Sequence, residues 1–378
     1  MVRTTRLPAP AGQVSALRRL LGALLTCRLV EALLVFLGGP GGALVPALVR
    51  DPARLSNAAI VPQAMPISLA CILRGKAAAG PTVGVVARPC EVRALVELAK
   101  LRQVELERLL VVAVDCLGTY HAAEHARLAA ERPGSLDAAL AQAADGKVSP
   151  EPGFALRAAC QICDRPLASQ LDDGWDLAVE LVGTGDSGVR LAFARGRERI
   201  ADALTAALGL ERAGDDDGWA GRTEFLAERA ARRSAALEQA RLALGGPKQL
   251  ASTFAACVRC GNCSIACPIC YCRECLFRSA TFERSLDEYV RLADRRGAVR
   301  LPSDTLLYHL TRMSHVAASC VGCGMCEQAC PNDIPLAGLF AAVASRVQEV
   351  FAYEPGRSRD EPLPLATFRE PEGPTLGV

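Results

Sequence analysis

The chain has 378 residues, with 43 basic and 41 acidic side chains, a formal net charge of +2 and 51% hydrophobic residues. This length favours two or three domains over a single core, and the apolar content excludes global disorder. The near-neutral charge and the 4% aromatic content argue against a nucleic-acid-binding protein.

The N-terminal half predicts an α/β fold. Residues 14–26 have the apolar spacing of a helix, and a buried strand follows them. Two short β-branched runs, 81–89 and 109–117, flank a segment of helical period at 91–107. This order is typical of a strand–helix–strand unit, so we expect the two strands to pair in parallel.

No membrane span or secretory signal is expected. The longest uncharged run, 32–49, contains Gly39-Pro40-Gly41-Gly42 in its middle, which predicts two short buried elements around a turn. Arg3 and Arg6 are not followed by one apolar segment with a cleavage site. We therefore expect a reducing cytoplasmic location, where clustered thiols indicate metal binding.

The middle of the chain predicts helices and one hairpin. Residues 121–145 are Ala-rich and helical with a break at Pro133-Gly134, and 175–183 and 188–196 have the pattern of a β-hairpin. Two further helices follow, and Gly245-Gly246-Pro247 ends the second of them. The predicted fold is an α/β (α+β) cofactor domain followed by a mostly helical dicluster [4Fe–4S] ferredoxin domain, with the divisions 1–246, 247–350 and a Pro- and Glu-rich tail over 351–378, an arm or a disordered segment.

Cysteine is the unusual residue of this composition, at 17 positions, eleven of them between Cys257 and Cys330. The pattern C-x2-C-x2-C-x3-C-P occurs twice, at 257–268 and 320–331. An iron–sulfur cubane needs four thiolates, and in two-cluster ferredoxins the fourth cysteine of each motif crosses to the other cluster. Structural zinc is the alternative, but it favours two C-x2-C pairs with a longer spacer. We therefore predict a first set of Cys257, Cys260, Cys263 and Cys330 and a second set of Cys320, Cys323, Cys326 and Cys267.

The insert between the motifs, 268–319, predicts one helix around 276–295 and another opened by Pro302-Ser303-Asp304, a good N-cap. It also carries three extra cysteines in the segment PICYCREC. These thiols have three interpretations, namely an additional metal site, a ligand for a neighbouring cluster, or buried thiols. They are Cys270, Cys272 and Cys275.

Four cysteines outside the ferredoxin motifs form a candidate third site. Cys90 and Cys116 follow two predicted parallel strands, at the sheet edge where α/β proteins bind ligands. Cys160 and Cys163 form a C-x2-C pair. Convergence of the four would provide a third [4Fe–4S] site, and the alternatives are a redox C-x-x-C, a zinc knuckle or unrelated core thiols. The remaining two, Cys27 and Cys71, are expected in the core.

These motifs together resemble the beta subunits of coenzyme F420-dependent hydrogenases and formate dehydrogenases. The resemblance rests on 84–101, 111–120, 160–188, 257–275 and 320–331. It extends over most of residues 12–345. Because the ferredoxin module is C-terminal and is followed by PICYCREC, the chain is most similar to the formate dehydrogenase branch.

The resemblance implies FAD, exchange of electrons between coenzyme F420 and iron–sulfur clusters, and a catalytic partner such as a formate dehydrogenase alpha subunit or a hydrogenase. It implies a third cluster at Cys90, Cys116, Cys160 and Cys163. It also suggests flavin contact for Gly183, Gly185 and Gly188, although this G-x-G-x-x-G precedes a strand and by itself predicts a hairpin turn. The alternative function is a flavin-free carrier or adaptor of a hydrogenase or heterodisulfide-reductase-like complex.

Two weaker patterns complete the sequence. His121, Glu124 and His125 spell H-x-x-E-H, but solvated histidines on an Ala-rich helix are favoured over a zinc hydrolase. Asp115 ends a predicted strand, where an acid either orients a cofactor or caps the next helix. No catalytic residue is assigned.

Overall fold

The computed structural model describes residues 3–76, 82–185, 188–213 and 219–366. The strands of this part are β1 (Arg3–Pro8), β2 (Ala32–Gly38), β3 (Leu44–Val49), β4 (Ala58–Ala59), β5 (Val83–Ala87), β6 (Leu109–Val114), β7 (Leu177–Glu180), β8 (Gly188–Phe193) and β9 (Glu211–Arg212). The helices are α1 (Gln13–Thr26), α2 (Leu69–Leu73), α3 (Pro89–Lys100), α4 (Ala122–Glu131), α5 (Ser135–Ala144), α6 (Ala158–Gln161), α7 (Glu198–Leu208), α8 (Trp219–Ala243), α9 (Pro247–Thr253), α10 (Asn262–Ile265), α11 (Leu286–Arg296), α12 (Thr305–Val316), α13 (Met325–Gln328) and α14 (Leu336–Val350).

The strands of the described residues form one mixed sheet in the order β3–β2–β5–β6–β7–β8–β1–β9, with β4 added beside β2. The centre of the sheet is parallel, from β2 through β5 and β6 to β7. Val85 of β5 lies beside Val111 of β6, and α3 connects the two strands. The predicted strand–helix–strand unit and the α/β fold class are confirmed.

The predicted hairpin and the predicted turn within the uncharged run are also present. β2 and β3 flank the turn at Pro40–Gly42 and pair antiparallel. The expectation of two buried elements holds for β2 but is wrong for β3, where Val45 and Leu48 are exposed because β3 lies at the edge of the sheet. β7 and β8 pair as the predicted hairpin, with residues 186 and 187 of its loop outside the described residues. No helix within the described ranges is long and apolar enough to cross a membrane.

The insert between the ferredoxin motifs differs from its prediction in two places. The helix expected from residue 276 begins only at Leu286, where Ser285 and Glu288 form a capping box, and two short 3-10 turns precede it. Asp304 precedes α12 but does not cap it with its side chain. Its carboxylate instead forms an ion pair with Arg259, whose Nη2 lies 2.7 Å from Oδ2, and this pair across the module competes with the local cap.

The two predicted domains share one hydrophobic core. Val85 and Leu95 from the sheet and α3 belong to the same buried cluster as Phe254, Tyr308 and Phe340 from the ferredoxin module. Helix α8 packs along α14. The segment at Gly245-Gly246-Pro247 therefore ends a helix but does not separate two cores.

The beginning of the Pro- and Glu-rich tail is held against α3, and residues 353–361 are called the strap below. The fully buried Glu97 accepts from the Tyr353 hydroxyl at 2.6 Å and from the Gly356 amide at 2.9 Å. Arg359 donates to Asp173 at 2.9 Å, beside the sheet. The strap is thus tied to the α/β domain by charged and polar groups that lie far away in sequence.

Candidate metal centres

Each ferredoxin motif forms a loop that ends in one helical turn. Gly261 and Gly324 have positive φ values of 78° and 69°, and α10 and α13 begin at the next residue. The glycines allow the left-handed turn at no steric cost. As a result, the third cysteine of each motif, Cys263 or Cys326, lies on the short helix directly after the turn.

The structure brings the predicted second set together. One cavity between the two motifs is lined by the fourth cysteine of the first motif and by three cysteines of the second. The crossed assignment requires this arrangement, because each motif must lend its last thiol to the other loop. The arrangement supports the assignment, and ligation itself stays a prediction. The four residues are Cys267, Cys320, Cys323 and Cys326.

The first set also converges. Burial raises the pKa of Cys257, the Arg259 amide lowers it, and the nearby Cys263, Cys260 and Cys330 raise it further. Repulsion between thiolates has this sign, so the other three thiols of the set lie close to Cys257. Cys260 is exposed, which places this set at the protein surface.

Helix α12 supplies groups to the first set that the sequence analysis did not identify. His309 Nε2 lies 3.3 Å from Cys257 Sγ, and the Tyr308 hydroxyl lies 3.4 Å from Cys263 Sγ. Arg312 donates from Nη1 to Cys263 Sγ at 3.0 Å. The available signal was the run of polar and aromatic side chains on one face of α12, the face that is buried.

Arg312 shows that the site fits an iron–sulfur cluster. Its side chain is 4% exposed, and its Nε has no hydrogen-bond partner among the described residues. An orphaned buried donor costs about 1–3 kcal/mol unless an acceptor is present. Cluster sulfides and thiolates accept hydrogen bonds from such donors. The donor set at the two motifs therefore fits [4Fe–4S] clusters.

The candidate third set meets at the carboxyl edge of the parallel strands, as predicted. Cys90 lies in the first turn of α3, Cys116 follows β6, and Cys160 lies on α6. All of them line one cavity together with Cys163 and with Cys323 of the second motif. The amide of Gly118 donates to Cys116. The thiols thus face one enclosed space, and their binding of a cluster stays a prediction.

Two of these thiols, Cys160 and Cys163, have opposite pKa shifts. Burial, followed by repulsion from Cys116 and Cys160, raises the pKa of Cys163 to about 12. Burial acts in the same direction on Cys160, but the Arg157 guanidinium and the Thr119 hydroxyl outweigh it and lower its pKa. Arg229 lies at the same cavity and donates to the Cys160 carbonyl oxygen. Thiolates bind metal, so the cations favour the ionised form that ligation requires.

Within the described ranges, no group of three or more His, Cys, Asp or Glu side chains could hold a single metal ion. A cubane takes one thiolate at each of four irons, so its ligands stand farther apart than the ligands of one ion. The thiols at the cavities of the second and third sets surround a space and do not converge on one point.

The PICYCREC cysteines lie beside the second set. Arg74 donates to the carbonyl oxygens of Cys267 at 2.9 Å and Cys270 at 2.7 Å, which fixes this loop against α2. Burial raises the pKa of Cys270, and the nearby Cys267 adds to the shift. Cys272 is exposed and Cys275 is half-buried. The three interpretations of these thiols stay open.

The cysteines expected in the core are both half-buried. Cys71 donates to the Ala266 carbonyl oxygen at 3.4 Å, so it lies next to the first motif. Burial raises the pKa of Cys71 to about 12. Cys27 ends α1, at a distance from the motifs in the chain.

The glycine segment assigned to flavin lies at the β7–β8 hairpin. The amide of Gly183 donates to the Ala143 carbonyl oxygen at 2.7 Å, and the amide of Gly185 donates to Ala144 at 3.1 Å. Gly188 opens β8 and pairs with β1. Amides already bonded to α5 are not free to bind a diphosphate. The segment does not fit a dinucleotide cradle, so we derive no step through FAD.

The two weaker patterns have structural explanations. Asp115 accepts from the amides of Ala168, Leu181 and Val182 at 2.7–3.0 Å. It therefore connects the end of β6 to the residues after β7 and to the first amide of a short 3-10 turn at 168–170, and it does not cap α4, the next helix in the chain. Burial raises its pKa to about 6 against these three hydrogen bonds. His121 is exposed as expected, but His125 is buried, so the expectation of two solvated histidines is wrong for the second.

Comparison with known proteins agrees with this geometry. Residues 253–334 match the 4Fe-4S dicluster domain. The F420-dependent formate dehydrogenase subunit beta of Methanocaldococcus jannaschii is 26% identical over 317 residues, which cover 75% of this chain and 76% of the relative. The F420-dependent formate dehydrogenase 1 subunit beta of Methanococcus maripaludis is 25% identical and covers 75% of both chains.

Among solved structures, a chain of the F420-reducing [NiFe] hydrogenase complex from Methanosarcina barkeri matches 66% of this chain and 94% of its own length, with a TM-score of 0.45 and 14% identity. The sequence relatives are oxidoreductase subunits, which agrees with the class predicted for this chain. The predicted resemblance is confirmed: over three quarters of its length the chain is similar to beta subunits of F420-dependent formate dehydrogenases, and it contains a 4Fe-4S dicluster domain.

Proposed function

We propose that the chain is an iron–sulfur electron-transfer subunit of an oxidoreductase complex. In this proposal it connects a hydride carrier, coenzyme F420 or a similar molecule, to a catalytic partner of the formate dehydrogenase class. The names of the sequence relatives support this choice of carrier and partner. A [4Fe–4S] cluster supplies one-electron transfer when it is bound.

The position of Cys323 carries the proposal. Its side chain lines the cavity of the second set and also the cavity of the third set. Cys267 then connects the second set to the first motif through the chain itself. The three sets therefore form a continuous series from the edge of the sheet to the exposed Cys260. Such a series suits electron transfer between two distant sites.

A cleft beside this series is our candidate site for the hydride carrier. It has a volume of about 420 Å³ and is bounded by both Cys163 and Cys320. Arg93 in its wall is buried and donates to the carbonyl oxygens of Pro355 and Val321. Asp164 and Glu354 line the same cleft, but neither forms an ion pair with Arg93 in the described part of the chain. A guanidinium without such a pair favours an anionic ligand.

The partner is proposed to dock around the first set. Cys260 is exposed there, so electrons reach the surface at this place. Most of the large apolar side chains exposed in the described ranges lie in the same module. Apolar side chains mark an interaction surface where they form one contiguous patch, and the proposed docking site consists of those that surround Cys260. The large exposed apolar side chains of the module are Val258, Ile265, Leu276, Leu286, Val290, Leu301, Leu307, Leu310 and Val350.

Iron content tests the series directly. We expect about 12 irons per chain after anaerobic purification if all three sites are filled, and about 8 if only the ferredoxin motifs are. Cys163→Ser should lower the content from about 12 to about 8 and leave the two ferredoxin signals in place. Cys27→Ser is the matched control and should change nothing. A wild-type content of about 8 that Cys163→Ser does not alter would refute the third site.

The bonded amides of Gly183 and Gly185 favour a second candidate, a flavin-free carrier or adaptor that joins clusters of a hydrogenase or heterodisulfide-reductase-like complex. Analysis of the purified chain for extractable flavin, together with an assay of F420 reduction, separates the two candidates. Reduction of F420 by the reduced chain supports the first. Absence of flavin, together with failure to reduce F420, supports the adaptor.

A further inference from the structure

Two buried guanidiniums occupy the junctions of the series of cysteine sets. Arg312 donates from Nη1 to Cys263 Sγ and from Nη2 to the Cys263 carbonyl oxygen, both at 3.0 Å. It also lines the cavity of the second set, beside Cys267 and Cys326. Arg312 therefore lies between the first and the second set.

Arg157 has the corresponding position at the other junction. Its Nη2 lies 3.5 Å from Cys160 Sγ, and its Nε donates to the Thr119 hydroxyl at 2.8 Å. Its Nη1 lies 3.7 Å from Met325 Sδ, in the second motif. The side chain borders the cavity that Cys323 shares with the third set.

Neither guanidinium has a carboxylate partner in the part of the chain that the structure describes. Both are almost completely buried, with 4% of Arg312 and 3% of Arg157 exposed. Buried Arg88, in contrast, pairs with Glu91 at 3.1 Å. An unpaired buried charge is costly, so a negative group must face it. The thiolate sites are the negative groups that these two arginines contact.

We propose that Arg312 and Arg157 set the reduction potentials of adjacent sites, each acting on the two sites that it joins. This inference rests on the proposed cluster ligation. Reduction adds one electron and so one negative charge to a site. A fixed positive charge in a poorly solvated interior favours the reduced form and raises the potential. A cation at a junction raises the potentials of both neighbouring sites, and the second site, which faces both arginines, is raised by each of them.

The proposal has a positional signature that a general loss of structure would not produce. Arg312→Met should lower the potentials of the first and second sites and leave the third unchanged. Arg157→Met should lower the second and third and leave the first unchanged. Arg229 lines the cavity of the third set but not that of the second among the residues that the structure describes, so Arg229→Met should lower the third potential alone. Arg312→Lys and Arg157→Lys keep the positive charge, so each should lower the potentials less than the corresponding Met variant.

The experiment is a dithionite titration of the full chain followed by electron paramagnetic resonance, after iron analysis of each variant. Cys163→Ser identifies the signal of the third site by removing it. Arg346→Met, at an exposed arginine, is the control and should shift no potential. Should Arg312→Met lose iron, Arg312→Gln provides a neutral side chain that keeps a donor and should give the same shift.

The outcomes separate this inference from the proposed function. Iron-replete variants with unchanged potentials, or with equal shifts at all three sites, overturn the role of the two arginines. Fewer than three signals in the unmodified chain would overturn the third site and, with it, the proposed role of Arg157. The proposed role of Arg312 depends only on the two ferredoxin motifs, so the Arg312 variants test it separately.

Discussion

A Cβ atom on Gly324 would lie 2.2 Å from the Cβ of Ala159, so the backbone of the second ferredoxin motif packs directly against the Ala159 side chain of helix α6. Ala159 directly precedes Cys160 in the chain, and Gly324 directly follows Cys323. The contact therefore determines how closely the second and third cysteine sets approach each other. Only glycine provides this approach together with a φ of 69°.

We expect Gly324→Ala to separate the two sets. The left-handed backbone costs about 1–2 kcal/mol for a residue with a Cβ. The clash with Ala159 adds about 1–3 kcal/mol of overpacking. Gly209→Ala is the matched control, because Gly209, which follows α7, has a φ of 65° and open space around its Cβ position. Thermal unfolding and the magnetic coupling between the two sites provide the measurements. Equal effects of the two substitutions would refute the role of the contact.

A second prediction concerns the anchor of the strap. Glu97 and Lys100 form a buried ion pair at 3.1 Å, and Tyr353 donates to the same carboxylate. Glu97→Ala leaves the Lys100 ammonium buried without its partner, which costs about 3–5 kcal/mol. Urea unfolding under anaerobic conditions measures this loss.

The control for this prediction is an exposed pair of the same type. Glu349 accepts from Arg346 at 2.9 Å, and about two thirds of each side chain is exposed. Glu349→Ala should lower the free energy of unfolding by less than about 1 kcal/mol, because water screens the pair. A loss at Glu97 no larger than the loss at Glu349 would contradict the anchoring role.

Acid should release the outer end of the strap. Burial alone would raise the pKa of Asp173, but the hydrogen bonds from Arg359 outweigh it and lower the pKa. The contribution of this pair is therefore complete above the ordinary carboxyl pKa of about 4 and is lost as the pH falls through the lowered value. Hydrogen exchange of the strap should increase over that range. In Asp173→Asn the exchange should be fast already at neutral pH, and a strap that stays equally protected in this variant would refute the prediction.

Arg74 should control the loop that carries the PICYCREC cysteines. Its Nη1 donates to the carbonyl oxygens of Cys267 and Cys270, and Arg74→Ala leaves both without this donor. We expect a loss of about 1–3 kcal/mol and faster loss of iron from the second site in air. Arg74→Lys keeps a donor, so its stability and its rate of iron loss should lie between those of the unmodified chain and those of Arg74→Ala. Iron release followed by visible absorbance measures the effect, and unchanged release in Arg74→Ala would exclude a role of this loop in the site.

Local patterns predicted the elements that depend on local physics. The change from strand-like to helix-like apolar spacing and back predicted the β5–α3–β6 unit. Its strands are apolar on both sides because both faces of a parallel sheet are covered. The two loops of the ferredoxin module follow from cysteine spacing and glycine. The strand β1 was not predicted, because Arg3–Pro8 becomes a strand only by pairing with β8.

The parts that sequence reasoning missed depend on contacts between distant segments. Arg312 and Arg157 come from the insert and from the segment before α6, and no spacing relates them to the thiols that they contact. The strap has a composition that predicts disorder, yet its charged groups meet Glu97 and Asp173 only after folding. Asp304 fits a cap locally, but its partner Arg259 is in the other half of the module.

The shared hydrophobic core has a kinetic consequence. Side chains of the sheet and of the ferredoxin module pack in one cluster, so neither part can swing away from the other without exposing apolar surface. The distances between the cysteine sets are fixed when the chain folds, and they do not depend on encounters between domains. The rate of electron transfer along the series should therefore be independent of solvent viscosity. Only the association of the carrier and of the partner with the chain should slow as the viscosity increases.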